Sequence, residues 1–143
     1  MGLDYELLES TAEMGVRGYG STLTEAFENG AKAMFSIMVD LNTVEAKVKK
    51  EIYVESHDVE TLFAEWLNEL LAQRDIVGLL FAKFKISKMA EEKDRWILEG
   101  VALGEGIDAS KHALKTEVKA ATYFQLETGK KGNTYYAQCI VDV

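Results

Sequence analysis

Two acidic residues, one near each end of the sequence, could together bind a metal ion. Glu13 lies in the glycine-rich stretch ESTAEMGVRGYG, and Asp142 lies beside the terminal carboxylate of Val143. Carboxylates are hard oxygen ligands, and two or three of them together, away from bases, would attract Ca²⁺, Mg²⁺ or Mn²⁺. However, the chain has 24 acidic residues. On the residues alone, solvated carboxylates are the simpler interpretation of both positions.

Other catalytic chemistry has little support in the sequence. We find no phosphate-binding loop, no GxSxG motif and no dinucleotide fingerprint, and the two histidines, His57 and His112, do not suggest a Ser/His/Asp constellation. Cys139 is the single cysteine, so the chain can form neither an internal disulfide nor a multi-thiolate zinc site. These residues therefore offer little from which a self-sufficient enzyme could be built.

Charge and hydropathy indicate the cellular setting. The formal net charge of −8 disfavours direct tight binding of nucleic acid, which generally needs a basic patch. No apolar run approaches the ~18 residues that a membrane span needs, and no secretory signal is recognisable. We expect a cytoplasmic protein without membrane contact.

The hydrophobic pattern predicts two helices among extended segments. Leu23 to Leu41 carries an apolar stripe at helical spacing with Thr22 and Glu25 as a capping box, and Asp58 offers an N-cap for a second helix over VETLFAEWLNELLAQR. Alternating patterns predict strands over the following stretches: Leu3–Leu7, Met14–Gly20, Lys49–Ser56, Leu79–Met89, Arg95–Leu103, Lys115–Glu127 and Thr134–Val143.

These elements predict an α+β fold in the order ββαβαββββ. We expect a two-layer sandwich in which two amphipathic helices pack on one large, mostly antiparallel sheet. A length of 143 residues predicts a single domain over residues 1–143.

Two further groups of polar residues have simple structural interpretations. Glu65 and Asn68 lie opposite the apolar stripe of the second helix, as in ordinary amphipathic patterning. Lys115 and Glu117 fall on one face of the strand predicted over Lys115–Glu127. Cross-strand pairing in solvent explains them more readily than contact with a partner, which stays open for both residues.

Three segments in chain order together resemble the archease family. They are YELLESTAEMGVRGYGSTLTEAFENGAKAMFSIM, then LFAEWLNELL, and then the part from HALKTEVKAATYF to the final VDV. The sequence departs from the family pattern at three positions. Ser10 and Phe124 stand where the family has histidines, and Glu13 stands where it has an aspartate, which is one methylene shorter.

The resemblance implies a function and a site. Archeases are protein cofactors of the RtcB-type tRNA-splicing ligase, whose guanylylation and multiple turnover they promote, so this chain would be a non-enzymatic activator. GTP would belong to the ligase. The family's metal site, carried over, falls on Glu13, Asp142 and Val143.

Two alternatives stay open. The chain could be a chaperone or interaction module for proteins that process or modify RNA, which its acidity and the missing histidine would suit. It could also be a metal-dependent hydrolase, which only the clustered carboxylates suggest.

Overall fold

The computed structural model describes residues 3–9 and 13–143, and two helices occupy its centre. Helix α1 spans Leu23–Met38 and helix α2 spans Val59–Val77. Both begin at the predicted caps: the Thr22 hydroxyl accepts a hydrogen bond from the Glu25 N–H, and the Asp58 carboxylate accepts one from the Thr61 N–H. Helix α2 ends at Gly78, whose φ of 67° is the left-handed conformation that glycine adopts without a steric penalty.

The strands form antiparallel pairs, as predicted. They are β1 (Tyr5–Glu9), β2 (Met14–Gly20), β3 (Val48–Ser56), β4 (Leu79–Glu92), β5 (Arg95–Gly106), β6 (Ala120–Ala121), β7 (Glu127–Lys131) and β8 (Thr134–Asp142). A short 3₁₀ helix, Leu41–Thr43, follows α1. The α+β class is confirmed, and the order of the elements broadly matches the predicted one.

The sheet architecture differs from the prediction in one respect. The strands fall into two sheets: a five-stranded sheet in the order β1-β2-β8-β6, with β7 also paired to β8, and a three-stranded sheet in the order β3-β5-β4. Helix α1 contacts β2 and β8 of the first sheet and β4 of the second, and α2 also touches both sheets. Alternating patterns specify which residues of a strand are buried but not which sheet the strand joins, so the sequence did not predict this division.

The core lies where the helices meet the two sheets. Phe35 of α1 packs edge-to-face on Phe81 of β4, and the Trp66 indole of α2 donates a hydrogen bond of 3.0 Å to the Phe27 carbonyl of α1. Strand β2 lies so close to α1 that a Cβ on Gly18 would be 2.1 Å from the Ala26 carbonyl oxygen. Only glycine fits there, because a side chain would force the strand and the helix apart.

The strand predicted over Lys115–Glu127 is largely wrong. Within that stretch only Ala120–Ala121, which form β6, and Glu127, the first residue of β7, are in strands. The Lys115 and Thr116 N–H groups instead donate to the Met38 and Ile37 carbonyls, so the segment satisfies carbonyls at the end of α1 that have no partner within the helix. Strand β7 continues to Lys131, and the chain then reverses at Gly132, whose φ is 61°, before β8 begins at Thr134.

None of the helices in the described ranges is both long and apolar enough to cross a membrane.

Candidate functional site

The pairing of β2 with β8 places the two predicted metal-binding acids side by side. The register runs from Gly20 opposite Tyr135 to Met14 opposite Val141. One further step along the same register sets Glu13 across from Asp142, which is the last residue of β8. Two acids 129 positions apart in the sequence therefore lie at the same end of the five-stranded sheet.

Both acids lie on the solvent side of that sheet. Directly paired residues of antiparallel strands share a face, and successive residues alternate between faces. Val141 belongs to the core and Met14 packs against it, so Glu13 and Asp142 belong to the opposite face, and both are exposed. Val143 follows with 46% of its surface exposed. Ser10, the turn residue that replaces the family histidine, lies outside the described residues.

Strand β6 pairs with Asp142 on the side of β8 away from β2, and a side chain of α2 holds β6 in place. Ala120 of β6 pairs with Asp142, and the Lys119 N–H donates to the Asp142 carbonyl at 2.7 Å. The Asn68 side chain holds β6 in place, because its amide donates to the Ala121 carbonyl at 2.9 Å and accepts from the Ala121 N–H at 2.8 Å. Asn68 is thus a positioning residue, a role that its amphipathic pattern did not reveal.

The donor set suits a hard cation but is small. Across residues 3–9 and 13–143, no three His, Cys, Asp or Glu side chains gather closely enough to hold a metal ion. Glu13 and Asp142 supply two side-chain carboxylates, and Val143, the third predicted ligand, offers only main-chain oxygen. Such a set matches the oxygen preference of Ca²⁺, Mg²⁺ and Mn²⁺. The metal site stays a prediction.

An aromatic turn lies beside the two acids. Tyr123 and Phe124 follow β6 and expose 56% and 54% of their surfaces. The Ile140 N–H donates to the Phe124 carbonyl at 3.1 Å, which fixes the turn two residues from Asp142. Sequence reasoning noted Phe124 only as a replacement for histidine and did not single out Tyr123. The sequence did carry a signal for this turn, because Tyr123 and Phe124 are adjacent aromatic residues in a stretch with few other large apolar residues.

Lys115 and Glu117 are exposed, but they do not lie on a strand. They line a surface groove at the end of α1 together with Ile107 and Leu114. The chain runs from this groove to Lys119 and the Asp142 backbone. Contact of Lys115 and Glu117 with a partner stays a prediction.

A cluster of hydrogen-bonded charges surrounds Glu105 of β5, on the three-stranded sheet. Its carboxylate accepts hydrogen bonds from Lys111 Nζ, the Glu45 N–H and His112 Nε2, each at 2.9 Å. These donors favour the ionised form and lower the pKa of Glu105 from 4.5 to about 2. His112 Nδ1 accepts the Asp108 N–H at 3.0 Å, so Nε2 is the nitrogen that donates. The cluster joins the loop after β5 to the segment before β3.

Comparison with known proteins identifies the family. The sequence model of the Archease protein family matches residues 5–143. The chain belongs to the archease family. Curated archeases from Methanosarcina acetivorans and Pyrococcus furiosus are 39% and 42% identical to it, over 99% and 97% of this chain and 97% and 98% of theirs.

Two solved structures share the archease fold. The solution structure of Methanobacterium thermoautotrophicum protein 1598 superposes with a TM-score of 0.83 at 36% identity, covering 98% of this chain and 99% of that one. A crystal structure from Thermotoga maritima, described as an archease and possible chaperone, gives a TM-score of 0.56 at 17% identity over 95% of this chain and 94% of that one, a likeness of fold alone.

Proposed function

We propose that this archease acts as a non-enzymatic activator of an RtcB-type RNA ligase, promoting guanylylation of the ligase and its repeated turnover. The observation that carries the proposal is the β2–β8 register, which ends at Met14 opposite Val141 and supports the placement of the exposed Glu13 and Asp142 at the same end of the sheet. Family membership over residues 5–143 supports it as well.

Glu13, Asp142 and the Val143 carboxylate would hold one divalent cation, Ca²⁺, Mg²⁺ or Mn²⁺. Bound there, the ion would supply positive charge and open coordination positions to a nucleotide phosphate of the ligase. The protein's own contribution is to fix its carboxylates. The Lys119 N–H and β6 hold the Asp142 backbone, and Asn68 holds β6.

Glu13 can occupy the aspartate position because the site lies at an exposed strand end. The extra methylene moves the carboxylate outward, and an exposed side chain can fold back without displacing packed neighbours. The protein would act on the ligase as a partner in the cytoplasm, and its acidic surface suits a basic RNA-binding protein better than RNA itself.

A ligase turnover assay tests this function. A cognate RtcB-type ligase with GTP and Mn²⁺ is expected to join more than one RNA per enzyme only when this protein is present. Glu13→Gln and Asp142→Asn remove the charges without changing side-chain size, and each is expected to lower the maximal stimulation at least tenfold. Glu51→Gln is the matched control, because Glu51 is an exposed glutamate on the three-stranded sheet.

Three outcomes separate the parts of the proposal. Stimulation that survives both Glu13→Gln and Asp142→Asn removes the metal site and leaves activation standing. Titration calorimetry with Mn²⁺ or Ca²⁺ checks the same point without the ligase, since Asp142→Asn is expected to weaken cation binding.

No stimulation by the unaltered protein contradicts activation. Suppression of aggregation of unrelated proteins would then favour the chaperone alternative, and phosphoester turnover with added Mn²⁺ would favour the hydrolase.

A further inference from the structure

Because the side chains of Tyr123 and Phe124 are exposed, the free protein does not gain the free energy that burying them would give. Each side chain leaves more than half of its surface in water, although removing its apolar atoms from water would be favourable. Contiguous exposed apolar surface marks interaction sites, and tyrosine is enriched among the residues that dominate protein interfaces. The two side chains therefore indicate an interaction surface.

Hydrogen bonds hold this turn in one shape. The Thr122 N–H and hydroxyl both donate to the Ile140 carbonyl, at 3.0 and 2.8 Å, and the Phe124 N–H donates to the Thr122 hydroxyl at 3.2 Å. Gln125 then adopts a φ of 53°, which a residue other than glycine rarely adopts. A turn fixed in this way loses little conformational entropy when a partner binds its side chains.

Acidic groups surround the aromatic pair. The Tyr123 hydroxyl donates to the Glu65 carboxylate at 2.6 Å, and this hydrogen bond, together with partial burial and the charges of Glu65 and Asp58, raises the pKa of Tyr123. On the other side, the Phe124 carbonyl is bonded to Ile140, two residues from Asp142. The basic groups nearby are exposed: His57, which pairs with Asp58 at 3.2 Å, and Lys119.

We propose that Tyr123 and Phe124 form an aromatic anchor that inserts into an apolar pocket with a basic rim on the ligase. The inference rests on the proposed function and specifies how the partner is held. Because acidic residues surround the anchor, a basic rim around the partner's pocket would complement their charge. The bonds from Thr122 and Phe124 to Ile140 of β8 bring the docked partner against Glu13 and Asp142, so that docking and activation use neighbouring parts of one surface.

The anchor is tested by measuring binding and stimulation together. Phe124→Ser and Tyr123→Ser are each expected to weaken binding of the purified protein to the cognate ligase at least tenfold in Kd. In the turnover assay they raise the half-maximal concentration of the protein and leave the maximal stimulation at saturation unchanged. Glu13→Gln lowers the maximum instead, which separates docking from the acidic site.

Tyr53→Ser is the matched control. Tyr53 exposes 52% of its surface and its hydroxyl donates to Glu55 at 2.9 Å, so it resembles Tyr123 in exposure and bonding, but it lies on the three-stranded sheet. Binding by Tyr53→Ser is expected to match that of the unaltered protein.

The outcomes distinguish this inference from the function on which it rests. If the unaltered protein binds and stimulates the ligase while Phe124→Ser and Tyr123→Ser bind equally well, the anchor is wrong and the activator function stands. If the unaltered protein does not bind the ligase, both proposals fall. Circular dichroism shows whether the variants keep the fold, as expected for exposed positions.

Discussion

At the scale of single residues, Glu105 shows how hydrogen bonds keep a carboxylate charged in a nearly buried position. Only 7% of Glu105 is exposed, yet Lys111, His112 and the Glu45 N–H supply donors, and Lys47 Nζ lies 3.6 Å away. Because these groups bind the ionised form, the folded protein lowers the pKa of Glu105 to about 2.

The Glu105 shift predicts a loss of stability in acid. The stabilisation is complete above pH 4.5, where the carboxylate is ionised in the folded and unfolded chains alike, and it is lost as the pH falls towards about 2. We expect Glu105→Gln to lower the denaturant midpoint of unfolding at about pH 7. On acidification to about pH 3, the midpoint of this variant is expected to fall by less than that of the unaltered protein.

Glu51→Gln is the control for this measurement, since it removes the same charge from an exposed strand position. Its acid-induced drop is expected to equal that of the unaltered protein. An equal drop in Glu105→Gln as well would mean that Glu105 does not contribute to acid sensitivity.

At the scale of elements, β6 depends on a side chain from α2. Asn68→Ala would leave the Ala121 N–H and carbonyl without their partner, and an unsatisfied buried group costs roughly 1–3 kcal/mol. We expect the free energy of unfolding to fall by about 2 kcal/mol and the Ala121 amide to exchange faster with solvent, measured by denaturation and hydrogen exchange.

Gln73→Ala provides the comparison for Asn68→Ala. Gln73 lies on the same helix and bonds only the neighbouring Glu69 side chain, at 2.9 Å. Its loss is expected to change the free energy of unfolding by less than about 0.5 kcal/mol. Equal effects of the two substitutions would show that Asn68 does not hold β6.

The sequence predicted the helices better than the strands near the end of the chain. Helical spacing and the caps Thr22 and Asp58 are local signals, so both helices begin where predicted. Segment 115–127 alternates like a strand, but its backbone bonds the end of α1 before it reaches β6, and alternation does not reveal such distant partners. The pairing of Glu13 with Asp142 followed from the family resemblance, whereas the bonds of Asn68 and the aromatic turn required the structure.

At the scale of the whole molecule, net charge governs how the protein would meet its partner. A charge of −8 would attract a basic partner such as the proposed ligase over a distance that shortens with added salt, because the Debye length falls from about 10 Å at 0.1 M to about 3 Å at 1 M.

The association rate is therefore expected to fall at least tenfold between about 0.05 and about 0.5 M salt, while dissociation changes much less. Stopped-flow mixing with the ligase measures both rates. A rate independent of salt would mean that the acidic surface does not steer the encounter.

Cys139 gives this protein a built-in reporter of how its central strand moves. The thiol lies on the core face of β8, where Cys139 pairs with Val16 of β2, and burial raises its pKa to about 12. Thiol reagents attack the thiolate, so the folded protein blocks labelling both by enclosure and by keeping the proton in place. Because no other cysteine competes for the reagent, the labelling rate reports how readily the core around Cys139 opens, two residues along β8 from Val141.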